Sequence, residues 1–514
     1  MTKKFYITTP MYYVNDVAHL GHAYSTIIAD AIARYRRFIG DDVFLLTGTD
    51  EHGQKIENKA SEMGKDTKTF CDEVSAKFRS DWEMMGITYD GFIRTTDTVH
   101  AETVKEFFEA VYAKGDIYKA KYGGYYCVGC ERFYPEKELI ELNGQKNVCP
   151  DHKKPANWME EENYFFKLSK YTEQIREALV SNQIVLPENR LHEVLAILDE
   201  GLEDISISRA NLKWGIPVPH DPAQVIYVWF DALISYISGL NKAGKTDYFP
   251  ANLHIVGKEI VRFHAIIWIG MLLSRGLPLP EHILGHGWLT VGGEKMSKSL
   301  GNVLSPAQLT TELTNDGLRY YLLREVSFTR DGDYSKEIAY LRLNADLANN
   351  IGNLANRTVS MTHKYFNGVV PEGNLDNDIK DAITQTLKEV GGFMDRYHCN
   401  ETLQAIVDLS DRLNKFIDSS APWTLAKNND PQLHNVLYTA LEGVRVIGLL
   451  LSSFTPGISQ KILHQVGYNV DENMVVSFAD ILIKICPGQK LNPAQPVFVR
   501  LGEELADKGA KKKK

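Results

Sequence analysis

The sequence predicts an α/β protein, in which a doubly wound parallel sheet is interrupted by an insertion and followed by a bundle of helices. Three observations support this prediction: a strand-helix-strand pattern opens the chain, strand-like runs return after residue 223, and strands disappear after residue 336. Alternating strands and helices are typical of parallel sheets covered by helices. The composition of the 514-residue chain, 44% hydrophobic and 24% charged, is that of an ordinary globular protein.

The first elements predict a βαβ unit. Residues 5–9 are a β-rich run closed by Pro10, and residues 22–39 place apolar side chains on one helical stripe. Gly40 breaks this helix, and residues 43–47 form an apolar run typical of a buried strand. Two strands joined through a helix are expected to lie parallel in one sheet.

An insertion separates this unit from the rest of the sheet. The segment that begins near residue 116 is rich in Gly, Tyr, Cys and charged residues, and strand-like runs resume at 224–230, 253–257 and 282–286. Helical spacing of apolar residues beyond residue 336 indicates a helical bundle. The predicted boundaries are 1–116 and 223–288 for the two halves of the sheet domain, 117–222 for the insertion, 289–340 for a lysine-containing loop and linking region, and 341–514 for the helical domain.

The sequence also indicates the cellular location of the protein and restricts its possible binding partners. The sequence has no run of about 18 uncharged apolar residues, so no transmembrane helix is expected, and residues 1–10 lack the apolar core of a secretion signal. Three of the six cysteines are solitary, which favours a reducing cytoplasm. The net charge of −9 argues against indiscriminate nucleic-acid binding, but a local basic face can still bind RNA.

The first candidate site is His19-Leu-Gly-His22, between the first strand and its helix. The end of a parallel strand that leads into a helix favours phosphate, because free backbone N–H groups and the positive helix end meet there. Gly21 allows a nucleotide to approach the backbone closely. The two imidazoles can donate to phosphate oxygens and stabilise charge that builds up in a transition state. A histidine pair is nevertheless more often structural when it occurs alone.

The second candidate site is Lys295-Met-Ser-Lys-Ser299, which has glycines on both sides and is therefore expected to be a loop. Two lysines separated by small hydroxyl residues suit a polyphosphate, because they supply positive charge and freely oriented donors. A loop that closes on ATP would neutralise the departing pyrophosphate and exclude water. A basic surface turn is the alternative for this pentapeptide taken alone.

The insertion contains a candidate metal site. Cys127 and Cys130 form one pair with a two-residue spacer, and Cys149 and His152 form another. Three thiolates and one imidazole at this spacing can surround a tetrahedral Zn²⁺. Since four protein ligands leave no position for water, the expected zinc is structural.

The histidine and lysine sites in this order are the paired signature of class I aminoacyl-tRNA synthetases. Within that class the chain resembles the methionyl-tRNA synthetases, and the resemblance covers almost its whole length. The supporting segments are Thr8-Thr-Pro-Met-Tyr-Tyr13, Leu46-Thr-Gly-Thr-Asp-Glu-His-Gly53, Trp214-Gly-Ile-Pro-Val-Pro219, Val228-Trp-Phe-Asp-Ala-Leu233 and Gly257-Lys-Glu-Ile260. Glu259 is longer than the Asp that the family pattern favours at this position.

The resemblance implies a class I Rossmann-type catalytic domain, split by a zinc-containing connective insertion and followed by an α-helical anticodon-binding domain. It implies that Mg²⁺-ATP and L-methionine give methionyl-adenylate, from which methionine passes to tRNA(Met). The implied catalytic residues are His19, His22, Lys295 and Lys298. The implied ATP-binding residues are these four together with Gly21, Ser297 and Ser299.

Family positions also imply the remaining binding sites. Asp50 is expected to hold the methionine ammonium group. The residues expected to enclose the methionine side chain are Met11, Tyr13, Trp229, Ala232, Leu233, Tyr236, Ile260 and His264. The residues expected to bind anticodon bases are Asn353, Arg357 and Trp423. The chain has no room after the bundle for the additional RNA-binding and dimerising module of some relatives, which favours a monomer.

Three alternatives remain open at this point. Another class I synthetase, for leucine, valine, isoleucine or cysteine, would share both signature motifs. The short insertion argues against the branched-chain enzymes, and the position of the zinc motif argues against the cysteine enzyme. A simple nucleotidylyltransferase would not need the helical half. A non-catalytic RNA-binding paralogue would need neither signature motif.

Overall fold

The structure is a computed structural model, which describes residues 2–129, 132–134, 136–142, 144–151, 153–210, 212–295, 302–468 and 476–502. Its strands are β1 (Lys4–Tyr13), β2 (Asp42–Asp50), β3 (Gly91–Arg94), β4 (Ile117–Cys127), β5 (Arg132–Tyr134), β6 (Ile140–Leu142), β7 (Gln145–Val148), β8 (Asn157–Phe166), β9 (Val185–Leu186), β10 (Ile205–Ser206), β11 (Ser208–Arg209), β12 (Pro217–Val218), β13 (Asp221–Ile226), β14 (Leu253–Gly257), β15 (His282–His286), β16 (Leu289–Val291), β17 (Glu294–Lys295) and β18 (Gly332–Tyr334).

The α-helices of the described residues are α1 (Leu20–Phe38), α2 (Gln54–Glu62), α3 (Thr67–Met84), α4 (Thr98–Ala113), α5 (Thr172–Ser181), α6 (Glu188–Asp199), α7 (Val228–Leu233), α8 (Ser235–Ala243), α9 (Ile269–Arg275), α10 (Pro306–Leu313), α11 (Asn315–Glu325), α12 (Lys336–Leu343), α13 (Asn353–Phe366), α14 (Asn377–Met394), α15 (Cys399–Ser420), α16 (Pro422–Lys427), α17 (Gln432–Leu451), α18 (Pro456–Gln465) and α19 (Phe478–Leu482). Two further segments, Phe263–Trp268 and Asn344–Gly352, are π-helical.

A six-stranded parallel sheet forms the centre of the first half, in the order β3-β2-β1-β14-β15-β9. The strands are largely apolar because helices cover both faces of such a sheet. The chain runs from β1 toward β2 on one side and toward β14 on the other, so the strand order reverses between β1 and β14. Ligands of open α/β sheets bind outside the carboxyl ends of the strands at such a point. The predicted parallel α/β core is confirmed.

Two details of the predicted strands are wrong. Pro10 does not end the first strand but lies within β1, where the pairing with β2 shifts register between Thr8 and Met11. Within the strand-like run 224–230, only residues 224–226 belong to a strand, as the end of β13. β13 pairs with β11 and β12 in a separate antiparallel sheet, and the chain then enters helix α7. Tertiary packing determines the secondary structure of this run, because aromatic and β-branched residues suit any half-buried surface and not strands alone.

The insertion is built on an antiparallel ladder in which β4 pairs with β8 from Ile117 to Tyr126. A short strand from this part of the chain, β9, joins the edge of the parallel sheet beside β15. This pairing was not predicted, because a two-residue strand has no periodic pattern.

The helical half confirms the predicted bundle, and α14, α15 and α17 pack on one another around buried aliphatic side chains. A buried ion pair links it to the sheet: Arg319 of α11 contacts Asp30 of α1 at 2.6 Å and donates to the carbonyl of Phe454 at 2.9 Å. Both charged side chains are fully buried. Nowhere in the described ranges does a helix have the length and apolar character needed to cross a membrane.

Candidate active site and RNA-binding surface

The histidine motif lies where β1 leads into α1, beside the point at which the strand order reverses. His19 is the N-cap residue: its Nδ1 accepts from the N–H of Gly21 at 3.0 Å, and its own N–H donates to Nδ1 of His22 at 3.3 Å. The two rings stack with centroids 3.7 Å apart. The reciprocal bonds resemble a capping box in which imidazoles replace the usual side chains.

This capping arrangement determines where the protons lie. An Nδ1 atom that accepts a hydrogen bond has no proton, so each neutral ring has its N–H at Nε2. Burial lowers the pKa of His22 well below its ordinary value, and the neighbouring His19 lowers it further. The pair therefore consists of two stacked imidazoles whose Nδ1 atoms accept backbone hydrogen bonds and whose N–H groups are at Nε2.

The lysine motif begins on an anchored hairpin. β16 pairs with β17 and β18, and the turn between β16 and β17 is formed by two glycines with positive φ. The N–H of Gly293 donates to Asp333 at 2.8 Å, which fixes the turn just before Lys295. On the far side of the motif, the carbonyl of Leu304 accepts from the N–H of Leu20 at 3.0 Å. The segment after the lysine motif thus contacts the first turn of the histidine helix.

Residues 296–301 are outside the described part of the chain. Ser297, Lys298 and Ser299 therefore remain predictions from sequence.

Tyr236 and His264 form the polar part of the predicted methionine pocket. Both side chains are 2% exposed, and the Tyr236 hydroxyl lies 2.7 Å from Nε2 of His264. Nδ1 of His264 lies 3.0 Å from the carbonyl of Ile260, so this nitrogen donates and Nε2 accepts from the tyrosine. Burial lowers the pKa of His264 to about 4. The ring is consequently neutral at physiological pH.

Aromatic and aliphatic groups form the other walls. Trp229 stacks on Phe263 with ring centroids 3.9 Å apart and planes within 1° of parallel. Ala232 and Leu233 follow on the same short helix and are buried. A half-buried Met11 lies near Gly48, where a Cβ would be 2.9 Å from the Met11 sulfur and still closer to the carbonyl oxygen of Ile93 in β3. The close approach of the β3 backbone is the main reason that β2 requires a glycine here.

Asp50 ends β2 directly opposite Tyr13 of β1 and is 8% exposed. The parallel register places the predicted ammonium-binding carboxylate beside one of the predicted pocket residues. Outside the pocket, the exposed Glu259 accepts from the indole N–H of Trp288 at 2.7 Å. Glu259 thus contacts the residue that precedes β16.

Two buried networks close to Asp50 in the chain were not predicted from sequence. Glu51 accepts two bonds from Arg94, at 2.6 and 2.8 Å. Asp231 accepts from His52 at 2.6 Å and from His100 at 2.5 Å. Glu51, His52 and Asp231 lie within segments that supported the family resemblance, so their presence in those segments was the only sequence signal.

Both π-helical segments adjoin predicted binding residues. Phe263–Trp268 contains His264, and Asn344–Gly352 leads directly into Asn353. π-Helical turns occur often at functional sites, because the extra residue changes which side chains face a ligand. A single sequence gives no pattern for such a turn.

The predicted zinc ligands are only partly within the described residues. Cys127 and Cys149 are buried in one small cluster that also contains Tyr134 and Ala156. Cys130 and His152 lie outside the described residues. In the ranges that the structure describes, no three potential metal ligands form a group. This finding does not test the prediction, because half of the predicted set is outside those ranges.

The predicted anticodon residues lie on the surface of the helical half. Asn353 and Arg357 stand one turn apart on α13, and Arg357 contacts Asp418 at 2.7 Å. Asp418 belongs to the end of α15, and Trp423 on the next helix is 47% exposed. The structure thus brings Arg357 to the end of α15 that leads into Trp423.

Two family models match the chain. The model described as class I tRNA synthetases (M) matches residues 5–154 and 142–359, and the model of the anticodon-binding domain of methionyl-tRNA ligase matches residues 369–512. A methionine–tRNA ligase of Thermotoga maritima is 45% identical over 97% of this chain and 80% of its own. The chain belongs to the methionyl-tRNA synthetase family. The family resemblance predicted from the two signature motifs is confirmed.

Other members of the methionyl-tRNA synthetase family show the same similarity. A methionine–tRNA ligase of a Nostoc species is 44% identical over 97% of both chains. The solved Mycobacterium tuberculosis methionyl-tRNA synthetase in complex with methionyl-adenylate is 40% identical, with a TM-score of 0.92 over 97% of this chain and all of that one. The class I catalytic core and the helical anticodon domain are therefore both family features.

Proposed function

We propose that this chain activates L-methionine with ATP and transfers it to the 3′ end of tRNA(Met). One observation supports this proposal above the others: two stacked imidazoles, each with Nδ1 engaged by a backbone N–H, lie at a helix N-terminus beside the reversal of strand order. Nucleotide phosphates bind at such places. Three residues predicted to bind methionine, Met11, Tyr13 and Asp50, lie at the carboxyl ends of β1 and β2.

In the first step, the methionine carboxylate attacks the α-phosphate of ATP in line, and pyrophosphate leaves. We assign His19 and His22 to the α-phosphate, where their donors stabilise charge that develops in the transition state. Gly21 allows the nucleotide to approach the backbone. We assign Lys295, Ser297, Lys298 and Ser299 to the polyphosphate. Mg²⁺ would accompany ATP and neutralise part of its charge.

Methionine selection is assigned to the buried pocket. Asp50 would hold the ammonium group, and Met11, Tyr13, Trp229, Ala232, Leu233, Tyr236, Ile260 and His264 would enclose the side chain. Sulfur–aromatic contacts contribute about 1 kcal/mol each. Shape supplies most of the remaining selectivity, since a methylene group changes the binding free energy by about 1–3 kcal/mol.

In the second step, a 3′-terminal ribose hydroxyl of tRNA attacks the carbonyl carbon of methionyl-adenylate, and AMP leaves. Asn353, Arg357 and Trp423 are assigned to the anticodon. An exposed Trp suits this role, because single-stranded bases stack on aromatic rings.

The insertion is assigned one structural Zn²⁺. Cys127, Cys130, Cys149 and His152 would bind it, and the common burial of Cys127 and Cys149 supports this set. When bound, the ion would join the two ends of the motif. The domain boundaries predicted from sequence are retained as part of this proposal.

We further propose that the protein acts as a monomer in the cytoplasm. Burial raises the pKa of the Cys71 and Cys399 thiols to about 12, so both remain protonated and unreactive. The cytoplasm is favoured because Cys71 and Cys399 are free cysteines, which are usual in a reducing compartment. Light scattering of the purified protein measures the oligomeric state directly.

Methionine-dependent ATP–pyrophosphate exchange tests the proposed function, with leucine, isoleucine, valine and cysteine as comparators. We expect exchange with methionine and at least about a hundredfold less with each comparator. Exchange with another amino acid alone would keep the reaction class and refute the pocket. No exchange with any amino acid, from folded protein, would refute the proposed activity.

A further inference from the structure

A buried network joins the two parts of the sheet domain behind the predicted methionine pocket. Asp231 Oδ2 lies 2.6 Å from Nδ1 of His52, and Asp231 Oδ1 lies 2.5 Å from Nε2 of His100. Nδ1 of His100 lies 2.7 Å from the hydroxyl of Ser238. Asp231, His100 and Ser238 are fully buried, and His52 is 6% exposed. Such groups remain in a protein interior only when their hydrogen bonds are made.

The proton positions follow from the chemistry of the partners. Ser238 donates to Nδ1 of His100, and each imidazole donates one N–H to the carboxylate. Burial acts to raise the pKa of Asp231, but the two imidazoles more than offset it, and the pKa lies below its ordinary value. Asp231 is consequently an ionised carboxylate that accepts one N–H at each oxygen.

The network lies directly between predicted substrate-binding residues. His52 follows Asp50 by two residues, and Asp231 follows Trp229 by two residues on α7. His52 and Asp231 are 179 residues apart in sequence and come from opposite sides of the insertion. The bond between them therefore joins the segment of the predicted ammonium site to the segment of the predicted side-chain wall.

The segment after Asp50 is fixed from its other side as well. The Glu51 carboxylate is bound by Arg94, and the Glu51 carbonyl accepts from the indole N–H of Trp214 at 2.5 Å. The ring of the next residue, His52, packs against Trp214 with centroids 5.8 Å apart. With Glu51 bound by Arg94 of β3, the bond from His52 to Asp231 connects this segment to α7.

We propose that Asp231 is a positioning residue, which holds Asp50 and the Trp229 wall at the separation that methionine requires. This inference rests on the proposed function, because it takes the pocket to be the methionine site. A purely structural role would lower the stability of the protein without changing the affinity for one substrate. A positioning role changes substrate binding selectively, since small displacements of binding groups have large effects.

The test is steady-state ATP–pyrophosphate exchange with D231N, which has nearly the same shape but places an amide N–H₂ against an imidazole donor. We expect the KM for methionine to rise by about tenfold, while the KM for ATP changes by less than about twofold and kcat by less than about threefold. An unchanged KM for methionine in folded D231N would overturn the proposal.

D116N is the matched control. Asp116 is also a buried carboxylate, 1% exposed, and it accepts from Lys170, Tyr171 and Ser274 at 2.6, 2.5 and 2.8 Å. None of these partners is a predicted pocket residue. We expect D116N to lower the melting temperature as D231N does, without a change in the KM for methionine. An equal rise in this KM for both variants would show a general effect of destabilisation and would overturn the proposal.

If D231N does not fold, variants of His52 test the same positioning role. The side-chain amide of H52Q can still donate to Asp231, whereas H52A cannot. We expect H52A to raise the KM for methionine by about tenfold and H52Q to stay within about threefold of the unmodified protein. Equal values for the two variants would overturn the proposal. Failure of the proposed function is distinguishable, since the unmodified protein would then show no methionine-dependent exchange.

Discussion

The predicted methionine pocket and the predicted anticodon surface differ most in burial and in internal bonding. In the pocket, Tyr236 and His264 are each 2% exposed and hydrogen-bonded to one another. On the anticodon surface, Trp423 is 47% exposed, and Arg357 is bound to an acidic residue of the neighbouring helix. A small substrate gains affinity from groups that are positioned before it arrives. A base of a flexible loop can instead stack on an accessible ring.

This difference separates the two reaction steps. Of the groups assigned to activation, His19, His22, Tyr236 and His264 lie in the sheet domain and are held by hydrogen bonds within the protein. The groups assigned to the anticodon lie on α13 and α16 of the helical domain. Variants at the first site should change activation and therefore aminoacylation, whereas variants at the second should change aminoacylation alone.

The largest effect is expected for H19N. Asparagine is a good N-cap residue, so α1 should keep its cap while the imidazole donor is lost. We expect methionine-dependent exchange to fall by about a hundredfold, in line with the loss of one transition-state donor. S335N, which replaces the N-cap of α12, is the control and should retain full exchange. Full exchange in H19N would remove His19 from the assigned phosphate site.

The next effect is expected for K298A. Removal of one cation from the assigned polyphosphate site should lower the rate of adenylate formation by at least about tenfold, with the protein still folded. The control is K336A, which removes a lysine paired with Glu312 outside the assigned site. Single-turnover measurement of adenylate formation checks this outcome, and an unchanged rate would refute the assigned lysine role.

W423A tests the anticodon surface instead of the activation site. Loss of one base-stacking surface should lower kcat/KM for tRNA(Met) in aminoacylation by about tenfold and leave exchange unchanged. L341A removes an apolar side chain that is 73% exposed in the same half of the molecule and should change neither assay. If W423A lost both activities equally, the anticodon surface would not be a separate site.

The smallest effect is expected for Y236F. This substitution leaves Nε2 of buried His264 without its donor, which costs about 1 kcal/mol. The KM for methionine should rise by about fivefold, with the KM for ATP unchanged. Y438F is the control, because it removes a buried hydroxyl that donates to the Ile485 carbonyl in the helical half. The same KM for methionine in Y236F and the unmodified protein would contradict the pocket assignment.

Local sequence spacing predicted some features and could not predict others. The helix that follows His19 was predicted, because its apolar stripe and the Gly40 break are local signals. The bond between His52 and Asp231 was not, since 179 residues and a whole insertion separate the two. Residues 228–230 were wrongly predicted as part of a strand and form the start of α7, because β-branched and aromatic residues favour a β-strand when tertiary packing is unknown.

The separation of the two sites has a direct test: methionine-dependent ATP–pyrophosphate exchange measured with and without tRNA(Met). The histidine pair and the Tyr236–His264 pair are positioned by hydrogen bonds to other groups of this chain. We therefore predict full exchange in the absence of tRNA, with a change of less than about twofold when saturating tRNA is added. Exchange that begins only when tRNA is present would contradict a preassembled activation site.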